Sequence, residues 1–204
     1  MTDMTNMTNM TKLILQAIKS SAHGSLIRVG LDLRRLRPDR VVLERTIFPY
    51  LLEHDAFGRL LFVGCAWYTR HYPWLFRSRE FWTMEFDPAL ARFGGTRHIV
   101  DTCERVADHF PTGHLDAVIC NGVYGFGLDD RAGLERSVRG FHRVLRRHGL
   151  LLFGWNNVPE HDPVRIDRLA IFDGFGPAAS PFGVARHEVP ESRNRHTYDF
   201  LSRI

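Results

Sequence analysis

The chain has 204 residues, of which 44% are hydrophobic and 25% charged, and its formal net charge is +4. This length and balance predict a single soluble α/β domain, and no apolar run reaches the roughly 18 residues that a transmembrane helix needs, so a membrane protein is not expected. The basic excess is carried by scattered arginines, the densest group of which is interrupted by Leu36 and lies near two acids. This group is Arg34, Arg35, Arg37 and Arg40, and its pattern favours a solvated surface over a nucleic-acid-binding stripe.

The first part of the chain predicts a terminus followed by a helical cover. Residues 1–11 repeat Met-Thr with Asp and Asn, which predicts a disordered terminus and not a secretory signal. Apolar residues at helical spacing predict one helix over 13–19 and a second after Asp39, the expected N-cap. Pro49 is expected to kink or split the second helix. Residues 12–57 are therefore predicted to cover the domain that follows.

Five apolar segments predict the strands of a parallel sheet. The continuous apolar run Leu60–Val63 is typical of a strand that is buried on both faces. Four comparable segments follow it: Phe81–Glu85, His98–Val100, Ala117–Cys120 and Leu150–Trp155. Helical segments separate them, the clearest over 129–147, and this alternation predicts a Rossmann-like, doubly wound and mostly parallel sheet.

The last part of the chain breaks this alternation. A stretch rich in Pro and Gly, 172–183, leads to two candidate strands, Val184–Val189 and Thr197–Leu201. They predict a C-terminal antiparallel hairpin added to the sheet. Residues 58–204 are therefore expected to form one Rossmann-like, ligand-binding domain. Three cysteines, far apart and odd in number, predict neither disulfides nor a zinc site and favour a reducing, cytoplasmic location.

The residues that follow each strand are the candidates for a ligand site, because doubly wound sheets bind ligands outside the carboxyl ends of their strands. Gly64 follows the first strand, and Glu85 ends the second, 21 residues later. A carboxylate at this spacing accepts hydrogen bonds from both hydroxyls of a ribose. Asp101 and Thr102 follow the third strand, and Asn121 follows the fourth.

These segments resemble those of class I S-adenosylmethionine (SAM) methyltransferases. LLFVGCAWYT and TMEFDPALARFG are similar to the first and second cofactor motifs, and HIVDTCERVADHFPTGHLDAVICNGV and FHRVLRRHGLLLFGW to the segments that follow. The likeness spans residues 58–157, roughly half of the chain. It implies the class I methyltransferase fold with SAM as cofactor. The cofactor-binding residues that it implies are Gly64, Cys65, Ala66 and Tyr68 in the first loop, Glu85 and Phe86 at the ribose, Asp101 and Thr102 at the adenine, and Asn121 near the methionine portion.

The first motif departs from the family pattern. Ala66 stands where the family usually has a second glycine, Tyr68 where it often has a third, and Phe62 where it often has an acid. A bulkier loop must pass the cofactor at a different distance or cover it with aromatic side chains. A nicotinamide-binding fold is disfavoured because G-x-G-x-x-G is absent.

The candidates for catalysis are Tyr124, Asn121 and His161. An aromatic face stabilises a cation such as the sulfonium of SAM by about 0.5–2 kcal/mol, and Tyr124, which follows the fourth strand, is preferred to Tyr68 for this role. His161 is the candidate base for an acceptor that arrives protonated. The competing interpretations are core packing for Tyr124 and an exposed loop position for His161. No residues have the spacing of metal ligands, so no metal is expected.

Three functional interpretations stay open. The first is a SAM-dependent methyltransferase acting on a small-molecule acceptor, because no insertion forms a recognition domain and no aromatic-basic stripe fits nucleic acid. The second is an enzyme that cyclises or cleaves SAM, similar to azetidine-2-carboxylate synthases. The third is a non-catalytic protein of the same fold that acts through a partner. The expected covers over the pocket are the N-terminal helices, the terminal hairpin or a second subunit in a homodimer.

Overall fold

The computed structural model describes residues 37–166 and 170–204. The predicted terminus at 1–11 and the predicted helix at 13–19 lie outside the described residues. None of the helices in these two ranges is long and apolar enough to cross a membrane.

The chain from 38 to 53 forms three successive helical pieces: α1 (Pro38–Val42), a π-helical turn (Leu43–Ile47) and α2 (Phe48–Glu53). The predicted interruption is present just before Pro49, whose ring nitrogen has no hydrogen to donate to the carbonyl of Arg45. The predicted N-cap is wrong by two residues. Arg37 is the N-cap and Asp39 lies in the first turn, because Pro38, which lacks an N–H, suits the first position of a helix.

The described residues form one sheet of eight strands. The strands are β1 (Arg59–Val63), β2 (Glu80–Glu85), β3 (His98–Val100), β4 (Leu115–Asn121), β5 (Leu145–Asn156), β6 (Phe175–Pro177), β7 (Arg186–Glu188) and β8 (His196–Arg203). Their order is β3-β2-β1-β4-β5-β8-β6, with β7 also paired to β8. Strands β1 to β5 pair in parallel, whereas β5, β6 and β7 each pair with β8 in antiparallel orientation. This topology confirms the doubly wound sheet with a C-terminal antiparallel hairpin.

The helices between the strands are α3 (Tyr72–Leu75), α4 (Val106–His109) and α5 (Arg131–Val144). Helix α5 begins at Arg131, two residues after the predicted 129, because the Asp130 carboxylate caps it by accepting from the Gly133 N–H at 2.9 Å. It ends three residues earlier than the predicted 147. Leu145 already has extended backbone angles and pairs with Leu115 of β4. The short strand β6 was not predicted, since it lies within the segment rich in Pro and Gly.

Apolar side chains cover both faces of the sheet. Leu61 and Val63 of β1 face one core, together with the predicted helical stripe of α5 that includes Leu134 and Phe141. The alternate residues of β1, among them Phe62, face a second core together with α1, α2 and the turn between them. Because apolar side chains cover both faces of the sheet, the polar side chains of a ligand site are expected at the carboxyl ends of the parallel strands. We call this end of the sheet the ligand edge.

Asp116, near the start of β4, joins three segments at the end of the sheet remote from the ligand edge. Its carboxylate accepts hydrogen bonds from the backbone N–H groups of Gly58 and Arg59 at 3.1 and 2.8 Å, and from Arg146 Nε at 2.9 Å. Burial acts to raise the pKa of Asp116, but the hydrogen bonds from Arg59 and Arg146 lower it below the ordinary 3.8. These contacts give Asp116 a structural role.

Asp116→Asn is expected to lower the free energy of unfolding by about 2 kcal/mol, because the half-buried donors around this buried side chain lose a charged acceptor. A carboxylate whose folded pKa is depressed contributes its stability above the unfolded pKa and loses it as the pH falls through the folded pKa. The difference between variant and wild type should therefore shrink as the pH falls below 3.8. Urea denaturation across this range measures it.

The matched control is Asp108→Asn, which removes an exposed carboxylate that Arg105 contacts at 3.1 Å. A surface substitution of this kind should change the free energy of unfolding by less than about 0.5 kcal/mol. An equal loss in both variants, or a loss for Asp116→Asn that persists in acid, would contradict the assigned role of Asp116.

Candidate cofactor and acceptor site

Gly64 directly follows the carboxyl end of β1 and brings the backbone close to the ligand edge. Its φ angle of +97° is one that glycine adopts readily and other residues rarely do. A Cβ atom at this position would lie 2.8 Å from Cγ2 of Val123 and 3.0 Å from the carbonyl oxygen of Asn121. The loop can follow this path only without a side chain at residue 64.

Glu85 ends the neighbouring strand β2 and is 6% exposed. Its Oε2 accepts a hydrogen bond from the Cys65 N–H at 2.9 Å, and its Oε1 accepts one from the Asp87 N–H at 3.0 Å. Burial raises the pKa of Glu85 above the ordinary 4.5, while the two backbone hydrogen bonds act to lower it. An ionised carboxylate accepts about four hydrogen bonds, so each oxygen keeps an acceptor position. This arrangement fits the two hydroxyls of a ribose.

A cavity of about 420 Å³ lies over these residues. Asp101 and Thr102 line one side of it, and the Asp101 carboxylate is fixed by the Thr102 N–H and by His109 Nε2, each at 2.8 Å. The hydrogen bond from His109 lowers the pKa of Asp101. Phe86 and Phe126 line the other side, and their rings are 57% and 51% exposed, so both are available to cover a planar base.

The first loop turns without the second glycine that the family usually has. Thr69 closes it, because its hydroxyl donates to the carbonyl oxygen of Ala66 at 2.9 Å and accepts from the Ala66 N–H at 3.0 Å. The Cys65 thiol is buried, which raises its pKa to about 12 and makes it a poor nucleophile. The side chains of Cys65, Ala66 and Tyr68 all line the same cavity as Gly64 and Glu85.

A second cavity, of about 820 Å³, adjoins the first. Tyr68, Gly122 and Phe126 line both cavities, so the two cavities share part of their walls. Two of the predicted catalytic residues, Asn121 and His161, line this second cavity. The His161 ring stacks on Phe126 with centroids 4.6 Å apart.

Asn121 lies in the wall of the second cavity and is hydrogen-bonded to His196, which is hydrogen-bonded in turn to Asn156. His196 Nε2 lies 3.0 Å from Asn121 Oδ1, and His196 Nδ1 lies 2.7 Å from Asn156 Oδ1. Burial lowers the pKa of His196 to about 4, so the imidazole is neutral at neutral pH. A neutral imidazole has one N–H, and therefore one of the two asparagines presents its NH₂ group to the ring. We call this arrangement the Asn121–His196–Asn156 chain.

Tyr124, the preferred catalytic candidate, is not brought into either cavity. Its side chain is fully buried in the core, and its hydroxyl donates to Asp162 Oδ1 at 2.5 Å and accepts from the Val164 N–H at 3.3 Å. The ring therefore supports the segment after β5 and does not face a ligand. Among the rings considered from the sequence, the geometry favours Tyr68.

Sequence reasoning missed several residues that line the second cavity, among them Arg40, Phe126 and His196. The surface interpretation of the arginine group is wrong for Arg40, which is 6% exposed. His196 is opposite Asn156 in the antiparallel pairing of β5 with β8. The predicted strand beginning at Thr197 was the one signal for His196, but the sequence does not specify which strand it pairs with.

No family model and no curated protein matches this sequence. Solved structures match its fold. A TehB-like SAM-dependent methyltransferase from Corynebacterium glutamicum has a TM-score of 0.61 and 15% identity, over 92% of this chain and 96% of that chain. The N-methyltransferase NodS from Bradyrhizobium japonicum has a TM-score of 0.53 and 12% identity, over 91% and 95% of the two chains.

A third structure with this fold is the Burkholderia thailandensis 1,6-didemethyltoxoflavin-N1-methyltransferase with bound 1,6-didemethyltoxoflavin and S-adenosylhomocysteine (SAH). Its TM-score is 0.53 and its identity 13%, over 96% of this chain and 89% of that chain. Together with the strand order β3-β2-β1-β4-β5 and the antiparallel C-terminal strands, these likenesses show that the chain has the class I methyltransferase fold.

Proposed function

We propose that the protein is a SAM-dependent methyltransferase that acts on a small-molecule acceptor. The observation that carries the proposal is the pair of adjoining cavities, which meet at Tyr68, Gly122 and Phe126. The first has the residues that suit an adenosine, and the second has room for an acceptor. The Burkholderia methyltransferase, whose named acceptor is a small molecule, supports the proposal of a small-molecule acceptor.

The residues of the first cavity fit SAM, which would supply the methyl group. Gly64 permits close approach of the backbone, Glu85 accepts from the ribose hydroxyls, and Asp101 and Thr102 lie where the adenine is expected. Tyr68 and Phe126 line the junction of the two cavities, where the methyl group would pass to the acceptor. Methyl transfer depends mainly on proximity and orientation, which these fixed side chains provide.

The residues of the second cavity would orient the acceptor. Asn121 is fixed there by the Asn121–His196–Asn156 chain. His161 is the candidate base for an acceptor that arrives protonated, and its stacking on Phe126 keeps its ring at the junction.

The second cavity also separates this proposal from its alternatives. An enzyme that cyclises or cleaves SAM uses one substrate and needs no separate space for an acceptor, whereas here about 820 Å³ adjoins the cofactor cavity. A non-catalytic protein that acts through a partner has no need of a buried carboxylate in the wall of the first cavity, where Glu85 lies.

Calorimetric titration of the protein with SAM and with SAH tests the proposal. Both are expected to bind with micromolar dissociation constants, and SAM incubated with the protein alone is expected to remain intact. A time-dependent loss of SAM without an acceptor would favour the cyclisation alternative. No heat and no thermal shift with either ligand would refute the proposed function.

Other expectations from the sequence stay predictions. These are the helical cover over residues 12–57, the ligand-binding domain over 58–204, the homodimer and the cytoplasmic location.

A further inference from the structure

Arg40 is a buried cation in the wall of the second cavity. The residue is 6% exposed and is among those that line the cavity. Its NH1 donates to the Tyr72 hydroxyl at 2.7 Å, and its guanidinium carbon lies 3.7 Å from the centre of the Tyr68 ring. Its Nε is buried and has no hydrogen-bond partner among the residues that the structure describes.

Within the described part of the chain Arg40 forms no close ion pair, although the charges of Asp39 and Glu44 act on it at longer range. The nearby carboxylate of Glu44 accepts from the Tyr72 hydroxyl at 2.9 Å and forms no described ion pair with Arg40. Burial acts to lower the pKa of Arg40, but Tyr72 and Tyr68 raise it, and a guanidinium stays protonated in proteins. A buried charge with neutral contacts is unfavourable unless an anion pairs with it.

The other charges of the second cavity indicate which anion suits it. Its lining includes three arginines, Arg37, Arg40 and Arg193, and two acids, Asp39 and Glu160, so three positive charges minus two negative charges leave one positive charge. A monoanion balances this charge, whereas a phosphate dianion would exceed it. A planar guanidinium binds a carboxylate through two parallel hydrogen bonds.

We infer that the acceptor is a small carboxylic acid and that Arg40 binds its carboxylate, with the apolar part of the molecule towards Tyr68 and Phe126. The inference rests on the proposed function, in which the second cavity holds the acceptor. Arg40 is already fixed by Tyr68 and Tyr72 before the acid binds, so little side-chain freedom is lost on binding.

Calorimetric titration of the SAH-saturated protein with benzoate, phenylacetate and 3-phenylpropanoate, and with the three corresponding amides, tests the inference. At least one acid is expected to bind tenfold or more tightly than its amide. Arg40→Met should abolish this preference, and Arg40→Lys should restore it only in part, because an ammonium lacks the planar pair of donors. If no acid binds more tightly than its amide, the inference is overturned.

The matched control is Arg139→Met, which removes an exposed arginine that contacts Glu135 at 3.7 Å on α5. It makes the same change in net charge and should leave the preference for acids intact. Retained SAH binding shows that an Arg40 variant is folded. If Arg40→Met does not fold, the comparison of acid with amide on the wild type and on Arg40→Lys decides.

The carboxylate of SAM itself is the competing partner for Arg40, and decarboxylated SAM separates the two. If Arg40→Met weakens SAM tenfold and leaves decarboxylated SAM unchanged, Arg40 binds the cofactor and the inference is overturned. If the wild type binds neither SAM nor SAH, the proposed function fails. The acid and amide titrations on the ligand-free protein then still test whether Arg40 forms a carboxylate site.

Discussion

Glu85→Ala is expected to weaken the binding of both SAM and SAH on the order of a hundredfold or more. Hydrogen bonds to a charged group contribute about 1.5–3 kcal/mol each, and two ribose hydroxyls would lose their acceptor, so at least about 3 kcal/mol of binding free energy is lost. The N–H groups of Cys65 and Asp87 also lose the carboxylate that they contact at 2.9 and 3.0 Å. Isothermal titration calorimetry with each ligand measures the effect.

The control for this variant lies on the same strand. Glu80 begins β2, at the opposite end from Glu85, and its Oε1 accepts from Trp82 Nε1 at 2.9 Å. Glu80→Ala should therefore leave the affinity for SAH unchanged. If Glu85→Ala also leaves it unchanged, the ribose site is not at Glu85.

The pH dependence of binding gives a second readout. A protonated carboxyl cannot accept from two hydroxyls as a carboxylate does, so the affinity for SAH should fall as the pH is lowered through the pKa of Glu85. Burial raises this pKa above 4.5, whereas the hydrogen bond from His109 lowers the pKa of Asp101. The loss should thus begin above pH 4.5 in the wild type and be absent from Glu85→Ala.

The features that could be predicted from the sequence depend on local patterns. A strand buried on both faces is a continuous apolar run, so Leu60–Val63 identified β1, and the following Gly64 then located the loop over the ligand edge. The separation of Gly64 and Glu85 in the sequence was informative because β1 and β2 are parallel neighbours, so their carboxyl ends lie side by side. These elements needed no knowledge of contacts between distant segments.

The features that could not be predicted depend on contacts between distant segments. Tyr124 follows a strand as a ligand-binding residue would, but Asp162, 38 residues later, binds its hydroxyl. Arg40 is buried because Tyr72, 32 residues away, accepts its hydrogen bond. His196 enters the site through the pairing of β8 with β5. Local sequence carries no signal for any of these partners.

The second large effect is expected from a side chain added at Gly154, which lies next to the side chains of the site. Gly154 of β5 is paired with Asn121 of β4. A Cβ atom on Gly154 would lie 2.0 Å from Asn121 Oδ1 and 3.1 Å from His196 Nε2. Gly154→Ala must therefore displace Asn121 and break its contact with His196, which leaves a buried polar atom without a partner.

This displacement is expected to cost about 2 kcal/mol of unfolding free energy, a typical value for overpacking a buried site. If the protein has the proposed function, the variant should also lower the rate of methyl transfer on the order of a hundredfold, because a shift of about 1 Å in a positioned group has that effect. Urea denaturation and initial rates with the acceptor, once found, measure the two losses. Gly176→Ala in β6 is the control, since among the described residues its Cβ would meet only Ile204, at 3.6 Å.

A double variant identifies the cause of the loss. If the new methyl group collides with the Asn121 side chain, then Gly154→Ala combined with Asn121→Ala should be more stable than the sum of the two single changes predicts. The rate should stay low in the double variant, because the Asn121–His196–Asn156 chain is still broken. Strict additivity, or a fully active Gly154→Ala, would show that Asn121 is not held against β5 as the structure places it. The site therefore requires that residue 154 has no side chain, because Asn121 and His196 occupy that space.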